Sequence, residues 1–213
     1  MAEAAPLDDG DLSKKQAIAL KRIDQGEIYK QEGNMCYREK NYKKAIGKYH
    51  RALLQVKDVD RQDGQQMLKG MMGGVSGVED RSCQLTATMA ERVKELEMSC
   101  YNNLAACLLH DTNPNYERVK EYCQNVLKLD EQNRKAWYRQ GVALYHLKDY
   151  EEAQDCLNRA RKKVPKDPDI LRYLNLCKEA LSKQLQAEKH RYQGMFQKMA
   201  EGEEEVIEMD DDK

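Results

Sequence analysis

The sequence predicts an all-α protein in which three helix–turn–helix repeats form a superhelical array, followed by a long C-terminal capping helix. One observation is the stretch Lys135–Pro165, whose small and apolar residues have the spacing of a repeat about 34 residues long. A second observation is that the interval from Gly33 to Ala52 equals the interval from Gly141 to Ala160, 19 residues in each case. These equal intervals indicate that one helical pair recurs along the chain.

The clearest repeat lies in the second half of the chain. Trp137 and Leu144 form the apolar stripe of its first helix. Gly141 and Ala153 are small, so the two antiparallel helices can approach closely, and Pro165 ends the second helix because proline cannot continue it. This pattern resembles the tetratricopeptide repeat, a unit that cannot bury its apolar face without neighbours.

The neighbouring repeats are found by aligning equivalent positions. In the first repeat, Gly33 corresponds to Gly141 and Tyr49 corresponds to Leu157. In the second repeat, Ala105 occupies the position of these glycines. The predicted repeats cover approximately residues 26–57, 97–131 and 134–167, within a repeat domain of residues 13–199.

Four segments lie outside the repeats. Their composition predicts a disordered N-terminus, a flexible glycine-rich insertion, a capping or extension helix and a disordered acidic tail. A methionine docking patch is the alternative for the insertion. The segments are residues 1–12, 58–81, 168–199 and 200–213.

Composition excludes several classes of function. Charged residues make up 34% of the chain, yet the formal net charge is only −1, so no overall field attracts nucleic acid or a membrane surface. No apolar run approaches the roughly 18 residues of a membrane span. Seven cysteines are scattered without a CxxC pair, which indicates reduced thiols and a cytoplasmic protein.

The sequence carries no catalytic constellation. It lacks a P-loop, an HExxH motif, a glycine-rich dinucleotide turn and a nucleophile elbow, so we expect neither an enzyme nor a cofactor. Cys107 and His110 are three residues apart and supply half of a metal site, but the two further ligands are missing. Packing of Cys107 within the array, with His110 near the helix end, is the simpler interpretation.

Basic and amide side chains recur on the first helices of the three repeats. Lys30 and Asn34 are four residues apart and share one helix face, and Asn103 lies two residues before Ala105. Lys135 and Arg139 are again four residues apart. First helices line the concave face of such an array, so these five side chains are candidates for one binding surface.

Their pattern resembles the carboxylate clamp of tetratricopeptide co-chaperones. The matching residues are Lys30, Asn34, Asn103, Lys135 and Arg139, with Tyr37 and Gln132 at accessory positions. The resemblance implies that they hold the C-terminal Glu-Glu-Val-Asp peptide of cytosolic heat-shock chaperones of the seventy and ninety classes. Lysine, arginine and asparagine donors suit a chain-terminal aspartate, which presents two carboxylates. His110 departs from an acidic residue found there in the family.

The segments YHRALLQ, CYNNLAACLL and NYERV resemble the tetratricopeptide repeat protein nine family, over roughly Gln25–Phe196. Residues 188–199 are similar to the extension helix of immunophilin co-chaperones, which implies calmodulin as a further partner, and a plain charged helix end is the alternative. The resemblance therefore implies a non-enzymatic adaptor. The alternative is a scaffold that binds cytoskeletal or other partners through helix faces, with a vestigial clamp.

Overall fold

The computed structural model describes residues 9–71 and 86–210, and all regular structure within them is α-helical, which confirms the predicted fold class. The chain divides into two compact units, Met1–Gln140 and Gly141–Lys213. The helices are α1 Asp9–Arg38, α2 Tyr42–Met71, α3 Ala87–Leu109, α4 Tyr116–Leu129, α5 Arg134–His146, α6 Tyr150–Lys163 and α7 Pro168–Asp210.

Two helical pairs build the first unit. Helix α1 packs on α2, α3 packs on α4, and α3 also contacts both helices of the first pair. Each helix of the second pair begins at a side-chain N-cap. Thr86 Oγ1 accepts from the Met89 N–H (3.3 Å) at the start of α3, and Asn115 Oδ1 accepts from the Arg118 N–H (3.0 Å) at the start of α4. The turn between α3 and α4 contains Pro114.

Gly33 allows the first pair to pack closely. A Cβ atom at this position would lie 2.6 Å from Cε1 of Tyr49, which is closer than real Cβ contacts. The Tyr49 ring from α2 therefore fills the space above Gly33, and its side chain is fully buried. Because Tyr49 is the counterpart of Leu157 in the sequence alignment, this contact supports the predicted repeat register.

The same arrangement recurs in the second unit. A Cβ atom on Gly141 would lie 2.7 Å from Cγ of Leu157 and 3.2 Å from the carbonyl oxygen of Ala153. The close contact predicted for Gly141 is thus present. Helix α7 begins at Pro168, where Asp167 Oδ1 accepts from the backbone N–H groups of the next turn, and α7 packs on α6.

Equivalent turns follow α1 and α5. Lys40 (φ 60°) and Lys148 (φ 68°) both adopt the left-handed conformation that usually ends a helix at glycine. The Asn41 N–H donates to the Cys36 carbonyl (2.8 Å), and the Asp149 N–H donates to the Leu144 carbonyl (3.0 Å). Two separate turns in the same strained form show that the repeats share backbone geometry as well as sequence spacing.

Three segments differ from the sequence prediction. Residues 58–71, predicted to be flexible, continue α2, because only Gly64 and Gly70 interrupt a run of helix-forming residues there. Helix α1 begins at Asp9, inside the predicted disordered N-terminus, and α7 continues through the acidic segment to Asp210. The rest of these segments, residues 1–8, 72–81 and 211–213, lies outside the described residues.

Candidate functional site

A polar cleft of about 530 Å³ lies in the first unit, between α1, α3 and the start of α5. The structure brings five of the seven predicted side chains together there. They are Lys30, Asn34, Asn103, Gln132 and Lys135. The other lining residues are Met98, Ser99, Asn102, Asp130, Asn133 and Arg134.

Asn34 links three helices at the floor of the cleft. Its Oδ1 accepts one hydrogen bond from the Tyr49 hydroxyl of α2 (2.8 Å) and one from Asn103 Nδ2 of α3 (2.9 Å). Because the oxygen side of the amide is used twice, its Nδ2 donors point away from these two partners. Because Gly33 has no side chain, the Tyr49 ring fits against its backbone. The hydroxyl of this packed ring then orients the amide of Asn34.

Asn133 positions Lys135 at the start of α5. Its Oδ1 accepts from the Ala136 N–H (3.2 Å), which caps the helix, and its Nδ2 donates to Asp130 Oδ2 (3.2 Å). Asp130 Oδ1 also accepts from the Gln132 N–H (2.9 Å), so the whole turn is held by side-chain oxygens. Lys135 lies in the first turn of the helix that this network holds, and its side chain is exposed.

Arg139 does not line the cleft directly, but it contacts a residue that does. Its NH1 donates to Oδ1 of Asn102 (2.9 Å), and Asn102 Nδ2 donates in turn to Asn133 Oδ1 (3.3 Å). Asn102 is buried, so both of its hydrogen bonds are protected from water. The amide of Asn102 therefore connects the guanidinium to the capping residue of the same helix.

In the part of the chain whose side chains the structure describes, the groups that affect the charge of Arg139 are cysteines and tyrosines. Burial lowers the pKa of its guanidinium, and the neighbours that affect this pKa are Cys123, Tyr37, Tyr138 and Cys107. Burial also raises the pKa of Tyr37, and raises the pKa of Cys107 to about 12, so both are neutral at pH 7. Among the side chains that the structure describes in residues 16–57 and 86–195, no acidic group forms an ion pair with Arg139.

The accessory prediction for Tyr37 has a different outcome from that for Gln132. Gln132 lines the cleft, whereas Tyr37 does not. The Tyr37 ring packs edge-on against Tyr42 (5.5 Å between centroids) and His110 (6.0 Å), and the latter two rings stack on each other. Its hydroxyl interacts electrostatically with Arg139. Tyr37 thus forms part of an aromatic cluster beside the site.

Sequence reasoning missed Asn102 and Asn133, although both are central to the hydrogen bonds of the site. Asn133 had a usable signal, since an asparagine directly before a helix commonly caps it. Asn102 had none, because its partners Asn133 and Arg139 are 31 and 37 residues away. Only the fold brings these side chains together.

The half-site considered for a metal is not assembled. Cys107 is fully buried and His110 is exposed, with its ring stacked on Tyr42. No group of three potential metal ligands occurs in the described part of the chain. Likewise, none of the described helices is long and apolar enough to cross a bilayer.

Comparisons with known proteins agree with the repeat geometry. Residues 114–177 match the tetratricopeptide repeat family model. Tetratricopeptide repeat protein 9C from Xenopus tropicalis is 43% identical over 172 residues, which cover 81% of this chain and 92% of that protein. The chain belongs to the tetratricopeptide repeat protein 9 family.

Two further matches come from other repeat-related proteins. The Hsp70/Hsp90 co-chaperone cns1 from Schizosaccharomyces pombe is 43% identical over 94 residues, which cover 44% of this chain and 23% of cns1. The repeat-containing C-terminal domain of an FK506-binding protein from Plasmodium falciparum has a TM-score of 0.61 and 25% identity. That match covers 79% of this chain and 95% of the domain. Calmodulin binding gains no support from these relatives and stays a prediction.

Proposed function

We propose that this protein is a non-enzymatic adaptor whose cleft binds the acidic C-terminal peptide of cytosolic heat-shock chaperones. One observation carries the proposal. Lys30 of α1 and Lys135 of α5 line the same cleft as Asn34 and Asn103, although these residues are far apart in the sequence. Two cations and two amides around one opening form a set of donors suited to carboxylates.

Arg139 strengthens the electrostatic argument. A half-buried guanidinium among neutral groups is costly to keep charged, and an incoming carboxylate offsets part of that cost. The C-terminal residue of a Glu-Glu-Val-Asp peptide carries two carboxylates, so it can engage the lysines that line the cleft and also approach Arg139, which contacts the cleft-lining Asn102. An apolar or cationic peptide would leave these donors without partners.

The similarity to cns1 supports the same class of ligand. That protein is named as an Hsp70/Hsp90 co-chaperone, and 94 residues of this chain align with it at 43% identity. Helical repeats that are this similar in sequence are expected to bind ligands of similar chemistry. The alternative is a scaffold that binds other partners through helix faces and no longer uses the clamp.

Fluorescence polarisation with a labelled Glu-Glu-Val-Asp peptide tests the proposal directly. Lys135→Ala should weaken binding by up to about 2–5 kcal/mol, the range for removing one partner of a charged pair, because the exposed Lys135 becomes buried only when the peptide binds. The matched control is Lys94→Ala, which removes an exposed lysine of α3 that does not line the cleft. Affinity for the free-acid peptide should also decrease as salt is raised, because the attraction is screened.

The C-terminally amidated peptide is the ligand control. It keeps the side chains and removes the terminal charge, so it should bind more weakly than the free acid. If amidation of the peptide, Lys135→Ala and added salt all leave the affinity unchanged, the carboxylate clamp is ruled out and the scaffold alternative is favoured.

A further inference from the structure

Asn102 lines the cleft and contacts Arg139, yet the motif that predicts the clamp does not include it. Its Oδ1 is the hydrogen-bond acceptor for Arg139 NH1, at 2.9 Å. The side chain is only 9% exposed, so water cannot replace this acceptor freely. The contact therefore decides where the guanidinium is held before any ligand arrives.

We propose that Asn102 is a positioning and specificity residue, which holds Arg139 through a neutral acceptor so that its full charge stays available to a ligand carboxylate. This inference rests on the proposed function of the cleft. It adds that the neutral amide at this position sets the preference of the cleft for an anionic chain terminus over an uncharged one.

The chemistry at this position explains why an amide fits. A carboxylate here would also hold the guanidinium, but it would form an ion pair that competes with the ligand. An apolar side chain would leave the guanidinium without its acceptor. An amide oxygen orients Arg139 and leaves its charge uncompensated.

The second hydrogen bond of Asn102 keeps the acceptor turned the right way. Its Nδ2 donates to Asn133 Oδ1 at 3.3 Å, so the nitrogen faces the turn and the oxygen faces Arg139. Asn133 is itself held by Asp130 and by the Ala136 N–H. A rotation of the amide that exchanged its oxygen and nitrogen would therefore lose hydrogen bonds at both ends.

Asn102→Asp provides the sharpest test, because it keeps the shape of the side chain and changes only its charge. We expect it to weaken binding of the free-acid Glu-Glu-Val-Asp peptide about tenfold or more, since the new carboxylate pairs with Arg139. The affinity ratio between free-acid and amidated peptides should decrease as well. Asn113→Asp, an identical change in the exposed α3–α4 turn, is the matched control and should leave this ratio unchanged.

A double-mutant cycle separates an effect through Arg139 from simple repulsion of an acidic peptide. In an Arg139→Ala background, Asn102→Asp should cause less than half of the loss, in logarithmic affinity, that it causes in the wild type. An equal loss in both backgrounds would overturn the inference, because the new charge would then act without Arg139. Unchanged affinity of Asn102→Asp in the wild-type background would overturn it too.

Asn133→Ser tests whether Asn102 acts only by supporting the turn. Serine can still cap α5 but no longer reaches the Asn102 amide in the same way. The inference predicts that Asn133→Ser keeps most of the free-acid preference, and loss of that preference to the level of Asn102→Asp would contradict it. If the wild-type protein shows no preference for the free-acid peptide, the proposed clamp itself is wrong. If the wild type shows this preference and Asn102→Asp leaves it unchanged, only the proposed role of Asn102 is wrong.

Discussion

The close contacts at Gly33 and Gly141, which occupy equivalent repeat positions, look alike in sequence but differ in what they support. In the first unit, Gly33 faces Tyr49, and in the second, Gly141 faces Leu157. Both contacts let a large side chain of the second helix rest on the backbone of the first. Tyr49 extends further, because its hydroxyl donates to Asn34 at 2.8 Å, whereas leucine has no polar atom to donate.

The difference shows how a packing position can also serve recognition. The repeat pattern requires a small residue facing a large one, and leucine meets that requirement through burial alone. Tyrosine meets the same requirement and also fixes the amide of a cleft-lining residue. In the first unit, therefore, changes in the core should alter binding as well as stability.

The largest effect should come from filling the two glycine contacts. Gly33→Leu and Gly141→Leu should each lower the free energy of unfolding by about 1–3 kcal/mol, because the new side chain overlaps a buried neighbour. The Gly33 variant should bind the acidic peptide more weakly than its loss of stability alone explains, since Tyr49 is displaced from Asn34. Thermal melts followed by circular dichroism, together with polarisation titrations, measure both quantities.

Gly47→Leu is the control for this pair. No atom lies within 4 Å of a Cβ built at Gly47, so leucine should cause no overlap there and should raise helix stability by about 0.5–1 kcal/mol. If Gly141→Leu melts at the wild-type temperature, the repeat register in the second unit is misassigned.

A smaller effect should follow from removing the tyrosine hydroxyl alone. Tyr49→Phe keeps the ring over Gly33 but removes a donor to Asn34, which should lower stability by about 0.5–1.5 kcal/mol and also weaken peptide binding. Tyr145→Phe in the second unit is the matched substitution, and its ring contacts with Tyr150 and Tyr173 do not need the hydroxyl. Equal affinities for both variants would show that Tyr49 contributes only packing.

The smallest effect should be a decrease in the stability of the fold at low pH, caused by a histidine of the first unit. Burial, followed by the charges of Arg118 and Lys57, lowers the pKa of His50, whose Nε2 lies 3.3 Å from the Tyr122 hydroxyl. The unfolded chain, with a histidine pKa of about 6.5, therefore binds the proton more readily, and stability decreases as pH falls below that value.

Denaturant unfolding between pH 7.5 and pH 5 measures this dependence. His50→Gln should be less sensitive to acid than the wild type, with the exposed His190→Gln on α7 as the control. An acid sensitivity that His50→Gln leaves unchanged would assign the effect to other groups, such as His146, whose pKa burial also lowers.

The repeats could be predicted from sequence because their signal is local. The small residues Gly141 and Ala153 predicted that the two helices of their repeat pack closely, and the alignment made Tyr49 the counterpart of Leu157. Helix bounds near glycines were harder to predict, because Gly64 and Gly70 interrupt α2 without ending it. Isolated glycines lower helix propensity by only about 1 kcal/mol each, which neighbouring residues can offset.

The candidate site was predictable only in part. Lys30, Asn34, Asn103 and Lys135 follow a spacing that one sequence can reveal, and all four line the cleft. Tyr37 shares a helix face with Lys30 and Asn34, but its ring joins an aromatic cluster outside the cleft. The contact of Asn102 with Arg139 depends on how α3 and α5 meet, which no local pattern encodes.

The uncompensated charge of Arg139 has a practical consequence for anyone who handles this protein. A half-buried cation among neutral groups should attract small anions from the solution, and a bound anion stabilises the folded state by mass action. Phosphate and sulfate stabilise folded proteins in general, so they should raise the melting temperature of the wild type more than that of Arg139→Ala. The same anions would compete with an acidic peptide, so affinities measured in these buffers would underestimate how tightly the cleft binds the peptide.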